Sequence, residues 1–236
     1  MEVHHHSHGH GKKNWKSYIW EFTMLFLAVF CGSVAEYFLE HKIESDREKQ
    51  YIISLVSDLK TDTANIALTI SDFNSANQYF DTIDTHINQI TDKYNPNLMH
   101  SLKRILGYRD FISTDKTLQQ LKNAGNLRLI KKQYIADSIA VYDFQVKKFQ
   151  ITSGELQSQF NKAFDDYQAL IYDNTKDTVG NDNNYLISTD KAAFKKYHNH
   201  IKIYKLLRKL YVMRLQELKT KVENLLVVLK DEYHIE

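Results

Sequence analysis

The sequence predicts an all-α protein: a single N-terminal transmembrane helix, followed by an antiparallel bundle of long helices with a short helical insert. Three observations predict it. The 236 residues include only 7 Gly and 1 Pro, too few turn-formers for a multi-stranded β protein. Near the N-terminus Phe22 to Ala35 forms a run of fourteen uncharged residues. Beyond it, apolar residues recur at alternating steps of three and four over long stretches, the period of a helix with one buried face.

Residues 1–17 form a basic, His-rich tail. His4, His5, His6, His8 and His10 cluster on a Gly-containing chain, a pattern able to wrap Zn, Cu or Ni without a folded site. The competing reading is adventitious affinity, or a pH-sensitive contact with lipid headgroups beside Lys12 and Lys13. The formal charge of +2 arises in this region, where Lys12, Lys13 and Lys16 outweigh Glu2. The rest of the chain is neutral, which argues against a nucleic-acid partner.

Residues 18–39 are the expected membrane span. Tyr18 to Leu39 has the length a bilayer requires, roughly 20 residues at 1.5 Å each. Trp15, Tyr18 and Trp20 before the apolar run and Tyr37 after it match the aromatic belts of a spanning helix. A cleaved signal peptide has a shorter apolar run that ends at a small-x-small site followed by a break, whereas here the helical pattern reads straight on through Glu40, His41, Lys42 and Ile43, so an uncleaved anchor is expected. Ala28, Gly32 and Ala35 make a small-xxx-small face that lets helix backbones approach closely in lipid. Glu21 and Glu36 lie near the two ends, where a carboxylate either faces another protein surface or reaches the headgroup layer. Self-association of the anchor is the expectation from that face. Cys31, the sole cysteine, excludes an intrachain disulfide and reads as a small buried apolar residue. Lys and Arg counts on the two sides nearly balance. The basic tail resembles a signal-anchor start, so the N-terminus is expected inside the cell and the large domain outside, in the periplasm of a bacterial inner membrane.

Residues 40–236 read as the helical-bundle domain. Long helices are expected at about 44–91, 134–171 and 190–230, with short ones at about 97–106 and 116–123. The first carries Ile52, Val56, Leu59, Ile66, Ile70 and Phe73 on one face and is expected to stop before Pro96. The third carries Tyr197, Ile201, Tyr204, Leu207, Tyr211 and Leu215. The pentapeptide Ile-Ser-Thr-Asp-Lys occurs at Ile112 to Lys116 and again at Ile187 to Lys191, each time before a helical pattern. Both copies are read as capping sequences. Asp173 to Asn184 is a polar loop lacking the spacing of an EF-hand.

The run MEVHHHSHGHGKKNWKSYIWEFTMLFLAVFCGSVAEYFLEHKIESDREKQYIISLVSDLKTD, together with TLQQLKNAGNLRLIKK at Thr117 to Lys132, resembles an uncharacterised family of bacterial single-pass membrane proteins. These have a His-rich N-terminus and a helical soluble domain. The similarity covers most of the chain and is strongest over the His-rich start and the anchor. It implies the same architecture and brings no catalytic residues.

No phosphate-binding glycine loop, HExxH or GxSxG motif is present. His198 and His200 diverge by about 200° on a helix and cannot share a metal; Asp165 and Asp166 likewise diverge. The expected function is therefore that of a membrane-anchored, non-catalytic interaction or scaffold protein. Its expected partners are the lipid bilayer, further copies of itself and other membrane or envelope proteins. Two alternatives differ in class: an envelope sensor domain, weakened by the lack of a second span, and an ion or metal conduit subunit using Glu21 and Glu36.

Overall fold

The computed structural model describes residues 14–87, 95–107, 109–123, 125–171, 188 and 190–235. It is helical throughout, and no strand occurs among the described residues. The elements are α1 (Trp15–Ser75), α2 (Asn77–His86), α3 (Pro96–Ile105), α4 (Lys116–Asn123), a 3₁₀ turn (Asn126–Leu129), α5 (Gln133–Ile171) and α6 (Lys191–Tyr233). By contacts the chain divides into two compact units, Met1–Gln50 and Tyr51–Glu236.

Two boundaries differ from expectation. The expected span at 18–39 and the long helix expected at 44–91 join in α1, which runs on through Glu40–Ile43 as the sequence pattern reads but ends at Ser75, short of residue 91. Side-chain donors compete for the carbonyls of its last turn: Ser75 Oγ donates to Asp72 O at 2.9 Å, Arg208 to Phe73 O at 3.2 Å, and Gln78 Nε2 to Ser75 O at 3.2 Å. The helix resumes as α2, and the expected residues 88–91 lie outside the described residues. Pro96 does more than stop a helix. It opens α3 in the first turn, where its missing N–H is not needed, while the Asn95 side chain accepts from the N–H groups of Asn97 and Leu98.

The second unit is built on three strict seven-residue repeats. In α1 and α2 the buried stripe is Ile52, Leu59, Ile66, Phe73, Phe80 and Ile87, interleaved with Leu55, Asp62, Thr69, Ala76 and Ile83. The stripe of α6 runs through Phe194, Ile201, Arg208, Leu215, Val222 and Leu229, interleaved with Tyr197, Tyr204, Tyr211, Leu218 and Leu225. In α5 the same spacing holds from Ile135 through Tyr142, Phe149, Leu156 and Ala163 to Leu170. A sustained 3.5-residue period is that of coiled-coil packing, in which side chains of one helix insert between those of its neighbours.

Contacts fix the directions of the helices. Phe149 packs on Tyr211, Phe160 on Tyr204, and Asp166 pairs with Lys196, so α5 and α6 run antiparallel; Lys132 and Glu232 pair near the far end. Phe73 stacks on Tyr211, Phe80 meets Tyr204 and Asp84 meets His198, so the α1–α2 stretch is antiparallel to α6 as well.

The two copies of the repeated pentapeptide do different jobs. At the second, Asp190 caps α6 by accepting from Ala192 N at 2.9 Å. At the first, the caps come from α1: Asp58 accepts from Thr117 N at 3.1 Å and Asp62 from Thr114 N at 2.7 Å. Asp115 instead accepts from the Gln119 side chain.

Candidate functional site

In the first unit α1 carries the longest apolar stretch of the chain. It is long and apolar enough to cross a membrane, and none of that stretch is buried within the protein. Cys31 lies in the same stretch and is likewise not covered by other residues of the chain. Ala28, Gly32 and Ala35 are exposed along one face, and a Cβ built on Gly32 meets nothing within 4 Å. Glu21 and Glu36 are also exposed. Phe22, Phe26 and Phe30 stack in a ladder with ring centroids 6.3 and 6.0 Å apart. At 3.6 residues per turn, Phe26 stands about 160° round the helix from Ala28, so the aromatic ladder and the small-residue face point in nearly opposite directions.

In the second unit a groove of about 650 Å³ lies between α6 and the junction of α1 with α2. Four cations line it, Lys202, Lys205, Arg208 and Lys209, against one carboxylate, Asp81. Phe73, Leu206 and Met213 supply apolar wall, and Leu206 and Met213 are exposed.

Arg208 is the unusual member. It occupies a core position of the α6 repeat and is 3 % exposed. Its guanidinium lies 4.1 Å from the Phe73 ring centroid and 5.4 and 5.5 Å from those of Phe80 and Tyr204, an aromatic box favourable for a cation. Both of its hydrogen bonds go to neutral oxygens, Phe73 O at 3.2 Å and the Tyr204 hydroxyl at 3.3 Å. Its Nε has no partner among the described residues. The Phe73 carbonyl belongs to the last turn of α1, where a cation also meets the negative end of the helix dipole.

Lys205 donates at 3.0 Å to both Asp81 and Asp84, and His198 Nε2 lies 3.2 Å from Asp84. Burial alone would raise the Asp84 pKa, but the hydrogen bonds and charges of Lys205 and His198 outweigh it and hold the carboxyl below its ordinary value. Burial likewise opposes the Lys205 charge, yet its two carboxylate partners keep its pKa above the usual lysine value. On the other side of α6, His200 Nδ1 lies 2.5 Å from Asp166, which also accepts from Lys196. The two histidines thus meet carboxylates on different helices, α2 and α5, consistent with their divergence on α6.

The structure brings none of the sequence-predicted residues into a catalytic cluster. Among the described residues no group of three His, Cys, Asp or Glu side chains is placed to hold a metal. His4, His5, His6, His8 and His10, the candidate ligands for Zn, Cu or Ni, lie outside the described residues, as does the loop 173–184. Sequence reasoning missed the groove because it placed Leu207 on the buried face of α6. Leu207 is only half-buried, and the buried position belongs to Arg208. The legible signal was Lys202, Lys205 and Lys209 recurring on one side of α6 with Leu206 and Met213. No family model, curated protein or solved structure matches this chain.

Proposed function

We propose that the chain is a membrane-anchored, non-catalytic helical interaction protein, which self-associates through the N-terminal part of α1 and presents residues 51–236 as a bundle on one side of the bilayer. The observation carrying this reading is the wholly exposed apolar stretch of α1. A row of exposed Phe, Leu, Val and Trp side chains this long is strongly unfavourable in water and favourable in hydrocarbon. The opposed faces of the helix support self-association: small residues allow close approach of a second copy while the aromatic ladder faces lipid. The basic tail and the family resemblance favour a bacterial inner membrane, with the N-terminus cytoplasmic and the bundle periplasmic.

The test is native mass spectrometry of the nanodisc-extracted protein, wild type against Gly32→Leu, with sedimentation after carbonate washing of membranes alongside. Because a Cβ added at Gly32 meets nothing within 4 Å and this stretch of the helix is exposed, Gly32→Leu reports on contacts with another molecule. A discrete wild-type oligomer that becomes monomeric in Gly32→Leu supports the reading. A wild-type monomer removes self-association, and release by carbonate removes the anchor itself.

A further inference from the structure

We propose that the groove between α6 and the α1–α2 junction binds a small anionic amphiphile, a single phosphate or carboxylate headgroup on a short apolar chain. Charge is the first reason. Four cations line the groove against Asp81 alone, and Asp81 is already engaged by Lys205. Arg208 is the second. It is almost wholly buried, both of its hydrogen bonds go to neutral oxygens, and its Nε is unpaired among the described residues. A buried cation with no carboxylate beside it draws an anion into any space that adjoins it, because charge is screened weakly there.

The apolar wall supplies the rest of the recognition. Leu206 and Met213 are 66 % and 48 % exposed, large fractions for apolar side chains beside a cationic rim, and a hydrocarbon tail would cover both. The size of the groove suits a small ligand. The groove holds about 650 Å³, within the usual range for small-molecule sites. A bare phosphate would leave the apolar wall exposed. The headgroup therefore sits among Lys202, Arg208 and Lys209, and the tail runs over Leu206 toward Met213.

The experiment uses the full chain in nanodiscs of zwitterionic lipid, with ¹³C-methyl methionine as the probe. Butyl, hexyl and octyl phosphate and inorganic phosphate are titrated in turn while the Met213 methyl signal is followed, with that of the buried Met99 as control. We expect a saturable shift of Met213 and none of Met99. Affinity should rise about fifteenfold for every two methylenes, as roughly 0.8 kcal/mol per buried methylene implies. Lys202→Glu combined with Lys209→Glu should weaken binding at least tenfold; both side chains are exposed, so the fold is not at stake. A second set of nanodiscs carrying anionic phospholipid separates the sources. If Met213 is already shifted there and octyl phosphate adds nothing, the bilayer supplies the amphiphile; if it is unshifted, a soluble molecule does. An unsaturable shift overturns the proposal, as does phosphate binding as tightly as octyl phosphate, or undiminished affinity in the double variant.

Discussion

The Tyr211 hydroxyl accepts a hydrogen bond from Phe111 N at 2.8 Å and donates one to Asp110 at 2.6 Å. Ser153 Oγ donates to the other oxygen of the same carboxylate at 2.6 Å. The Tyr211 ring stacks on Phe73 and leans on Phe149. One side chain thus ties the loop before α4 to α1, α5 and α6. Tyr211→Phe keeps the ring and leaves the N–H of buried Phe111 unpaired, so urea denaturation should show a loss of about 1–3 kcal/mol. Tyr197, one heptad-pair earlier in α6, is equally buried, but its hydroxyl has no partner among the described residues. Tyr197→Phe should leave stability unchanged or raise it. Equal losses in the two variants would mean that the relay through Asp110 does not hold the loop. Arg208 shows why this scale is the hardest to read from sequence. Both Leu207 and Arg208 satisfy the three-and-four spacing between Tyr204 and Tyr211, and hydrophobicity favours the wrong one. The Phe73 carbonyl and the rings of Phe73 and Phe80, far away in the chain, join Tyr204 one turn earlier in making the arginine acceptable inside.

At the scale of elements, α4 depends on carboxylates from α1. Thr117 is 3 % exposed, and its N–H bonds to Asp58 Oδ2. Asp58→Ala leaves that N–H without a partner and should cost about 1 kcal/mol, the usual worth of an N-cap. Asp115→Ala, in the position local sequence would mark as the cap, removes a hydrogen bond between the exposed Asp115 and the Gln119 side chain and should cost much less. Thermal unfolding of the two variants compares them directly, and a larger loss in Asp115→Ala would refute capping from α1. Periodicity made the helices at Gln133–Ile171 and Lys191–Tyr233 legible to within a few residues. It also revealed the apolar stretch of α1. The cap from Asp58 was not legible, because it joins positions 59 residues apart. Nor was the interruption at Ala76, beside which Arg208 reaches the Phe73 carbonyl from α6.

For the second unit as a whole, three heptad stripes make the core continuous, and its polar members set how stability responds to pH. Tyr142 is buried against Asp62, its hydroxyl 2.5 Å from the carboxylate, and burial together with that negative charge raises its pKa. Burial also raises Tyr197 and Tyr204, the latter despite the opposing charge of Arg208. A tyrosine whose folded pKa is raised adds stability that is complete below its unfolded value, about 10, and is lost as pH climbs above it. Above that point the unfolded chain gives up protons that the folded chain keeps, so stability should fall as pH rises, by roughly 1.4 kcal/mol per pH unit for each tyrosine that stays protonated in the fold. The acid limb has the opposite sign. Burial opposes the Asp143 charge, but Lys147 and Lys122 outweigh it and lower its pKa, as Lys205 and His198 do for Asp84. These contributions are present above about pH 4 and fade as pH falls through the depressed folded values. Absorbance at 295 nm and helical ellipticity followed together from neutral pH upward test the alkaline limb. We expect the last part of the tyrosinate signal to appear only with the loss of helix, between about pH 10 and 12. Full ionisation of all 15 tyrosines while the helices persist would show that water reaches the hydroxyls of the heptad core, and the packing of α1, α5 and α6 described above would then be wrong.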